Sequence, residues 1–138
     1  MVLTVGSPRL TRSAAAAAAP APADLLGIRT EQRGHAVIVY LDGEIDHRGA
    51  DRLRDHVQAL IADPACPSRV ILDLAQVHFC GSSGLGAVIT VWRSVRIRRR
   101  SLVVSRPSGV CRRILERTGL DQHIALSPTL RHALTRPD

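Results

Sequence analysis

The chain contains no lysine and almost no aromatic residues. All 19 basic residues are arginine, against 12 acidic residues, so the formal charge is +7 and its positive part does not titrate near neutral pH. Aromatic residues make up 2% of the 138 positions, so a core must be built from valine, leucine, isoleucine and alanine. The basic residues are not interleaved with aromatic ones and no nucleic-acid reading motif is present, so we predict no nucleic-acid partner.

The three cysteines predict neither a disulfide framework nor a zinc site. Cys66, Cys80 and Cys111 are odd in number and far apart, and no CxxC or Cys/His pair has the spacing of metal ligands. Isolated thiols of this kind are typical of a reducing cytoplasm, where we expect the protein to act. No apolar run approaches the roughly 20 residues of a membrane span. We therefore predict no metal, no cofactor and no membrane segment.

The first 24 residues differ in composition from the rest of the chain. A run of six alanines, Ala14–Ala19, is followed by alternating proline and alanine. Such a segment has too little apolar bulk to offset the entropy lost on ordering. We predict a disordered tail over residues 1–24 and one folded domain over residues 25–138, an ordinary length for a single domain.

The periodicity of the apolar residues predicts an α/β domain. Apolar runs predict strands over residues 25–30, 35–41, 69–74, 102–104 and 123–126. Apolar residues three and four apart predict helices over residues 48–61, 83–97 and 107–118, and from 128 onward. Strands that alternate with helices after a leading hairpin predict a mixed β-sheet of four to five strands with about four helices.

The loop at residues 81–86 is the first candidate site. It places Gly81, Ser82, Ser83 and Gly84 at the start of a predicted helix, where the helix dipole favours a phosphate group. Its glycine spacing does not fit GxGxxG, the Walker A lysine is absent, and the GxSxG pattern of hydrolases is not met. Two interpretations remain open: one serine caps the helix, or one serine accepts a phosphate.

Glu44 and Asp46 form the second candidate site. Paired carboxyl groups can act as general acid and base. The alternative is that Glu44 lies in a solvated turn and Asp46 caps the next helix.

Together these segments resemble the STAS domain. The matching segments are Gly43-Glu44-Ile45-Asp46, Val70–Leu74, Phe79–Gly86 and Thr118-Gly119-Leu120. The resemblance covers residues 25–136 and is greatest to the bacterial anti-sigma factor antagonists. It implies a regulatory protein rather than an enzyme, with no catalytic residue of its own. Such a protein binds an anti-sigma factor that is also a serine kinase, and so frees a sigma factor.

The resemblance also implies which residues form the site. By motif position, Ser82 is the phosphorylation site, with Ser83 as the alternative. The implied partner-binding residues are Glu44, Asp46, Gly81, Ser82, Ser83 and Gly84. Phosphorylation by the partner ends the interaction, and a serine phosphatase restores it.

One position departs from the family pattern. Where the family has an aspartate just before the acceptor serine, this chain has Gly81. A glycine supplies no charge and loosens the loop. An alternative is therefore a constitutive scaffold or sensor module of the same fold, without a phosphorylation cycle. A nucleotide-binding protein is the third hypothesis.

Overall fold

The structure, a computed structural model, describes residues 25–137 without the side chains of Phe79 and Cys80. Within that range the elements follow the order ββαβαβαβα. The strands are β1 Leu26–Arg33, β2 Ala36–Ile45, β3 Arg69–Cys80, β4 Ser101–Ser105 and β5 Ala125–Ser127. The helices are α1 His47–Ala62, α2 Ser82–Ile97, α3 Gly109–Arg117 and α4 Leu130–Thr135. The tail predicted over residues 1–24 lies outside the described residues.

The strands form one mixed sheet in their order along the chain. β1 pairs antiparallel with β2, and β2 to β5 pair in parallel. The predicted fold class, a mixed sheet of four to five strands with about four helices, is confirmed.

Aliphatic side chains fill the core on both faces of the sheet, as the shortage of aromatic residues requires. The larger cluster joins one sheet face to α1, α2 and α3, for example through Leu72, Leu53, Val88 and Cys111. The smaller cluster lies under α4 on the other face and consists of Ala36, Ile38, Ile71, Val103 and Ala133. Residues of one strand alternate between the clusters because successive side chains point to opposite faces.

The strands β1 to β4 are each longer than predicted, and the reasons are clearest for β1 and β3. β1 continues to Arg33, because residues 31–33 pair with β2 and the turn shrinks to Gly34 and His35, with Gly34 at φ +61°. β3 continues from Leu74 to Cys80, because its second half pairs with the end of β2. Residues 75–80, for which the periodicity predicted no element, are therefore part of the strand.

The last helix begins two residues later than predicted, at Leu130 rather than at residue 128. Thr129, rather than Ser127, caps α4, and its side chain accepts a hydrogen bond from the amide of His132. Ser127 lies in β5, where its hydroxyl contacts the side chains of His132 and Arg136.

Candidate functional site

The pairing of β2 with β3 brings the two candidate segments together. Glu44 is aligned with Phe79, and Ile45 with Cys80, in a parallel register. Asp46 and Gly81 follow these pairs directly, at the carboxyl edge of the sheet. Because paired strands lie about 4.8 Å apart, the segment that carries Glu44 and Asp46 (the acidic segment) and the loop at residues 81–86 (the serine loop) are neighbours.

Gly43 shapes the acidic segment through a close approach to Leu25. Its φ is +115°, and a Cβ atom at this position would lie 2.0 Å from the carbonyl oxygen of Leu25. The amide of Glu44 donates to the same oxygen at 3.1 Å. Only glycine fits here, and Glu44 is left exposed on the strand that leads to Asp46.

Asp46 is the N-cap of α1, as predicted. Its Oδ1 accepts a hydrogen bond from the amide of Gly49 at 2.8 Å. Its Oδ2 has no hydrogen bond to any residue in the range 25–137. Gly49 is buried, and a Cβ there would approach Leu26 to 3.1 Å. The carboxylate is therefore held in place by one oxygen, with the other available to a partner.

Of the two interpretations of the loop that the sequence left open, the serine cap of α2 is wrong. Gly81 occupies the N-cap in an extended conformation and makes no side-chain cap, while its carbonyl accepts from the amide of Leu85 at 3.0 Å. Ser82 and Ser83 are therefore the first two helical residues. The hydroxyl of Ser82 is exposed and makes no hydrogen bond within the described part of the chain.

The electrostatics of this helix start favour an anion. The first amides of a helix have no partner within the helix, and the dipole is positive there. The first turn of α2 contains no acidic residue. A phosphate on Ser82 would thus meet free amides and no carboxylate from its own turn.

The other two loop residues face a different environment. Ser83 is half-buried and lines an open groove between α1 and α2. Gly84 is buried, so its backbone supports the helix start and offers little surface. Sequence reasoning missed the remaining lining residues of the groove: His47, Ala50, Asp51, Arg54, Gly86, Ala87 and Thr90.

Charged side chains of this groove are already paired. Arg54 lies 3.3 Å from Asp51 and 3.5 Å from Asp55. The three-residue groupings of His, Cys, Asp and Glu that hold metal ions do not occur among the residues described, and no helix there has the length and apolarity to cross a membrane. The geometry thus offers an exposed hydroxyl at Ser82 and a carboxylate at Asp46, both at the carboxyl edge of the sheet.

Comparison with known proteins gives a consistent result. The family model of the STAS domain matches residues 27–133 of this chain. The "Anti-sigma-F factor antagonist RsfB" of Mycobacterium tuberculosis is 30% identical over 112 residues, which are 81% of this chain and 89% of that protein.

Two solved structures share the fold. The crystal structure of an anti-sigma factor antagonist from Mycobacterium paratuberculosis has a TM-score of 0.72 and 33% identity, covering 83% of this chain and 95% of that one. The phosphorylated form of the Bacillus cell fate determinant SpoIIAA has a TM-score of 0.65 and 22% identity, covering 80% and 98%.

Proposed function

Because this chain belongs to the STAS domain family, we propose that it is an anti-sigma factor antagonist switched by phosphorylation at Ser82. It binds an anti-sigma factor with serine kinase activity and so frees a sigma factor. Phosphate on Ser82 ends the complex, and a serine phosphatase restores it. The protein acts as a regulator, not as an enzyme, in the cytoplasm.

One observation carries the proposal. The Ser82 hydroxyl is exposed at the first position of α2, uncommitted to a cap, next to the Asp46 segment. A kinase can reach such a hydroxyl without unfolding the helix. The names of RsfB and of the M. paratuberculosis protein support the class of partner.

The physical basis of the switch is a charge at a docking surface. A phosphoserine adds about −1.5 to −2 charges at neutral pH. The helix start tolerates this charge because its dipole is positive there. A partner that covers Ser82 must desolvate the phosphate without a matching cation, which costs several kcal/mol.

Ser82 is preferred over Ser83 as the acceptor because of exposure. Ser83 is half-buried against the groove between α1 and α2. Its hydroxyl is less accessible to a kinase active site. The proposed partner-binding surface is completed by Glu44, Asp46 and Gly81. Gly84 is buried and contributes only through its backbone, which supports the start of α2.

The test combines intact mass with binding. The full chain is incubated with its anti-sigma factor kinase, Mg²⁺ and ATP. Wild type and Ser83→Ala are expected to gain one phosphate, and Ser82→Ala none. Ser82→Ala should still bind the kinase, whereas Ser82→Asp should bind about 100-fold more weakly. Ser68→Asp, an exposed serine at the other end of β3, is the matched charge control.

Gly81 motivates one second candidate, the constitutive scaffold or sensor module. Without the family aspartate, the loop could bind a partner and never receive a phosphate. A wild-type protein that binds the kinase but gains no mass would favour this alternative. If Ser82→Asp instead bound as tightly as wild type, the charge switch would be wrong.

A further inference from the structure

The end of α2 carries a cluster of exposed arginines around an exposed isoleucine. Its members are Arg93, Arg96, Ile97, Arg98 and Arg99, which we call the arginine surface. Ile97 is 79% exposed, more than any other large apolar residue in the described range. Arg93 and Ile97 share one helix face because they are four positions apart. The arginine surface lies roughly 20 Å along the helix axis from the Ser82 end.

The four guanidinium groups of this surface have no acidic partner among residues 25–137. Some other arginines of the described chain have structural contacts instead. Arg69 and Arg100, for example, donate to backbone carbonyls. Within the arginine surface, Arg96 lies over the Trp92 ring at 5.1 Å. The positive charge is thus available to a molecule outside the chain.

Arg99 adopts a backbone conformation that favours glycine. Its φ is +58°, just after the end of α2. Its amide donates to Arg96 and the next amide donates to Val95, as in the usual glycine-ended helix. A glycine would take this conformation without steric strain. Arginine at such a position points to a function of its side chain.

We propose that the arginine surface docks an acidic protein segment that places an aliphatic side chain against Ile97. Carboxylates match the four guanidinium groups, and an aliphatic contact removes Ile97 from water. Nucleic acid fits less well, because its phosphates provide no apolar contact for Ile97. Trp92 is unsuited to stack a base, since it is covered by Arg96 and contacts the ring of His123 at 5.6 Å.

This surface is distinct from the Ser82 site and acts independently of the phosphorylation proposed there. A partner bound at the end of α2 leaves the helix start uncovered. It also gives the protein a second contact, which raises overall affinity when both belong to one partner.

The experiment uses the full chain and three probes. The first is a peptide of about 12 residues that combines glutamates with leucines at helical spacing. The second has each leucine replaced by serine, and the third is a short DNA duplex. Calorimetry measures affinity, and the fluorescence of Trp92, the one tryptophan of the chain, reports contact at Arg96.

The leucine peptide should bind, and the serine peptide should bind about tenfold more weakly. Arg98→Ala/Arg99→Ala and, separately, Ile97→Ser should each weaken the leucine peptide by about tenfold. Arg112→Ala/Arg113→Ala removes the same charge from exposed positions on α3 and should change affinity less than about twofold. Val110→Ser is the apolar control, since Val110 is also exposed on α3.

Arg99→Gly gives the sharpest result: it should raise the midpoint of thermal unfolding and weaken peptide binding. The proposal is overturned if the leucine peptide does not bind at about 1 mM. It is also overturned if the α3 variants weaken binding equally, or if the serine peptide or the DNA binds at least as tightly.

Discussion

Asp73 accepts three hydrogen bonds in the middle of the sheet, two of them from Arg106. The Arg106 Nε and Nη2 atoms lie 2.8 and 2.7 Å from its two oxygens, and the Ser105 hydroxyl donates at 2.8 Å. Asp73 is 2% exposed, while the Arg106 side chain is 43% exposed. The hydrogen bond to Asp73 raises the pKa of Arg106. This contact ties β3, which leads to the Ser82 loop, to the connection between β4 and α3.

Asp73→Asn should lower the free energy of unfolding by about 1–3 kcal/mol, because it leaves buried polar atoms poorly matched. Urea denaturation at neutral pH measures the loss. Arg106 has φ +52°, so Arg106→Gly should be more stable than Arg106→Ala by about 0.5–1 kcal/mol. Equal stability of these two variants would argue against strain at this residue.

Gly43→Ala should destabilise the protein by roughly 1–3 kcal/mol and weaken partner binding. The added Cβ would lie 2.0 Å from the carbonyl oxygen of Leu25, so the segment that carries Glu44 and Asp46 must shift. Gly86→Ala is the matched control, since a Cβ there meets nothing within 4 Å. Because alanine is the better helix former, the free energy of unfolding of Gly86→Ala should rise by about 0.5–1 kcal/mol. Thermal denaturation measures both variants. A tolerated Gly43→Ala would contradict the close-approach argument.

Gly81→Asp restores the acid of the family pattern and should stabilise α2. Gly81 is an N-cap without a side-chain hydrogen bond, in an extended conformation open to any residue. An aspartate there can accept from the free amides of the first turn, for a gain of a few tenths of a kcal/mol. Chemical denaturation and helical circular dichroism test this. Gly81→Ala, which adds a side chain but no acceptor, should show no gain.

Protein stability should fall as the pH drops below about 6.5 because of His56. Burial, and then the charge of Arg52, lower the pKa of His56 in the folded chain. The unfolded chain therefore binds the proton at a higher pH than the folded one, so His56 favours folding above its unfolded pKa and loses that contribution as pH falls through it. The side chain also contacts the Thr30 hydroxyl.

His56→Gln removes the titrating group and should flatten the pH dependence of the free energy of unfolding between about pH 5.5 and 7.5, a window of about one unit on either side of the unfolded pKa. His35→Gln, at an exposed turn, is the matched control and should leave the slope unchanged. An unchanged slope in His56→Gln would assign the pH dependence to another group.

Helical and strand periodicity was enough to predict the fold, because each element has a clear apolar face. It failed at residues 75–80, although a signal exists there: Gln76 and His78 are exposed and Val77 is buried. That alternation is typical of a half-covered strand. The extension was missed because its partner, the end of β2, is more than 30 positions away in the chain.

The site was predictable where its contacts are local. Asp46 caps its own helix three residues on, so spacing was sufficient. The interpretation of a serine cap is wrong because Gly81 occupies the N-cap position, so that Ser82 and Ser83 are the first two residues of the helix. The role of Gly43 depends on the carbonyl of Leu25 across a strand pair, and no local pattern encodes such a contact.

The order of the strands has a consequence for synthesis on the ribosome. Each of β2 to β5 is added beside the strand made just before it, so no strand must be inserted between two others. When each new strand emerges, the strand beside which it pairs has already been synthesised, so folding can proceed from the N-terminal side. Both halves of the Ser82 site have been synthesised once α2 is complete at Ile97, before β4, α3, β5 and α4 exist.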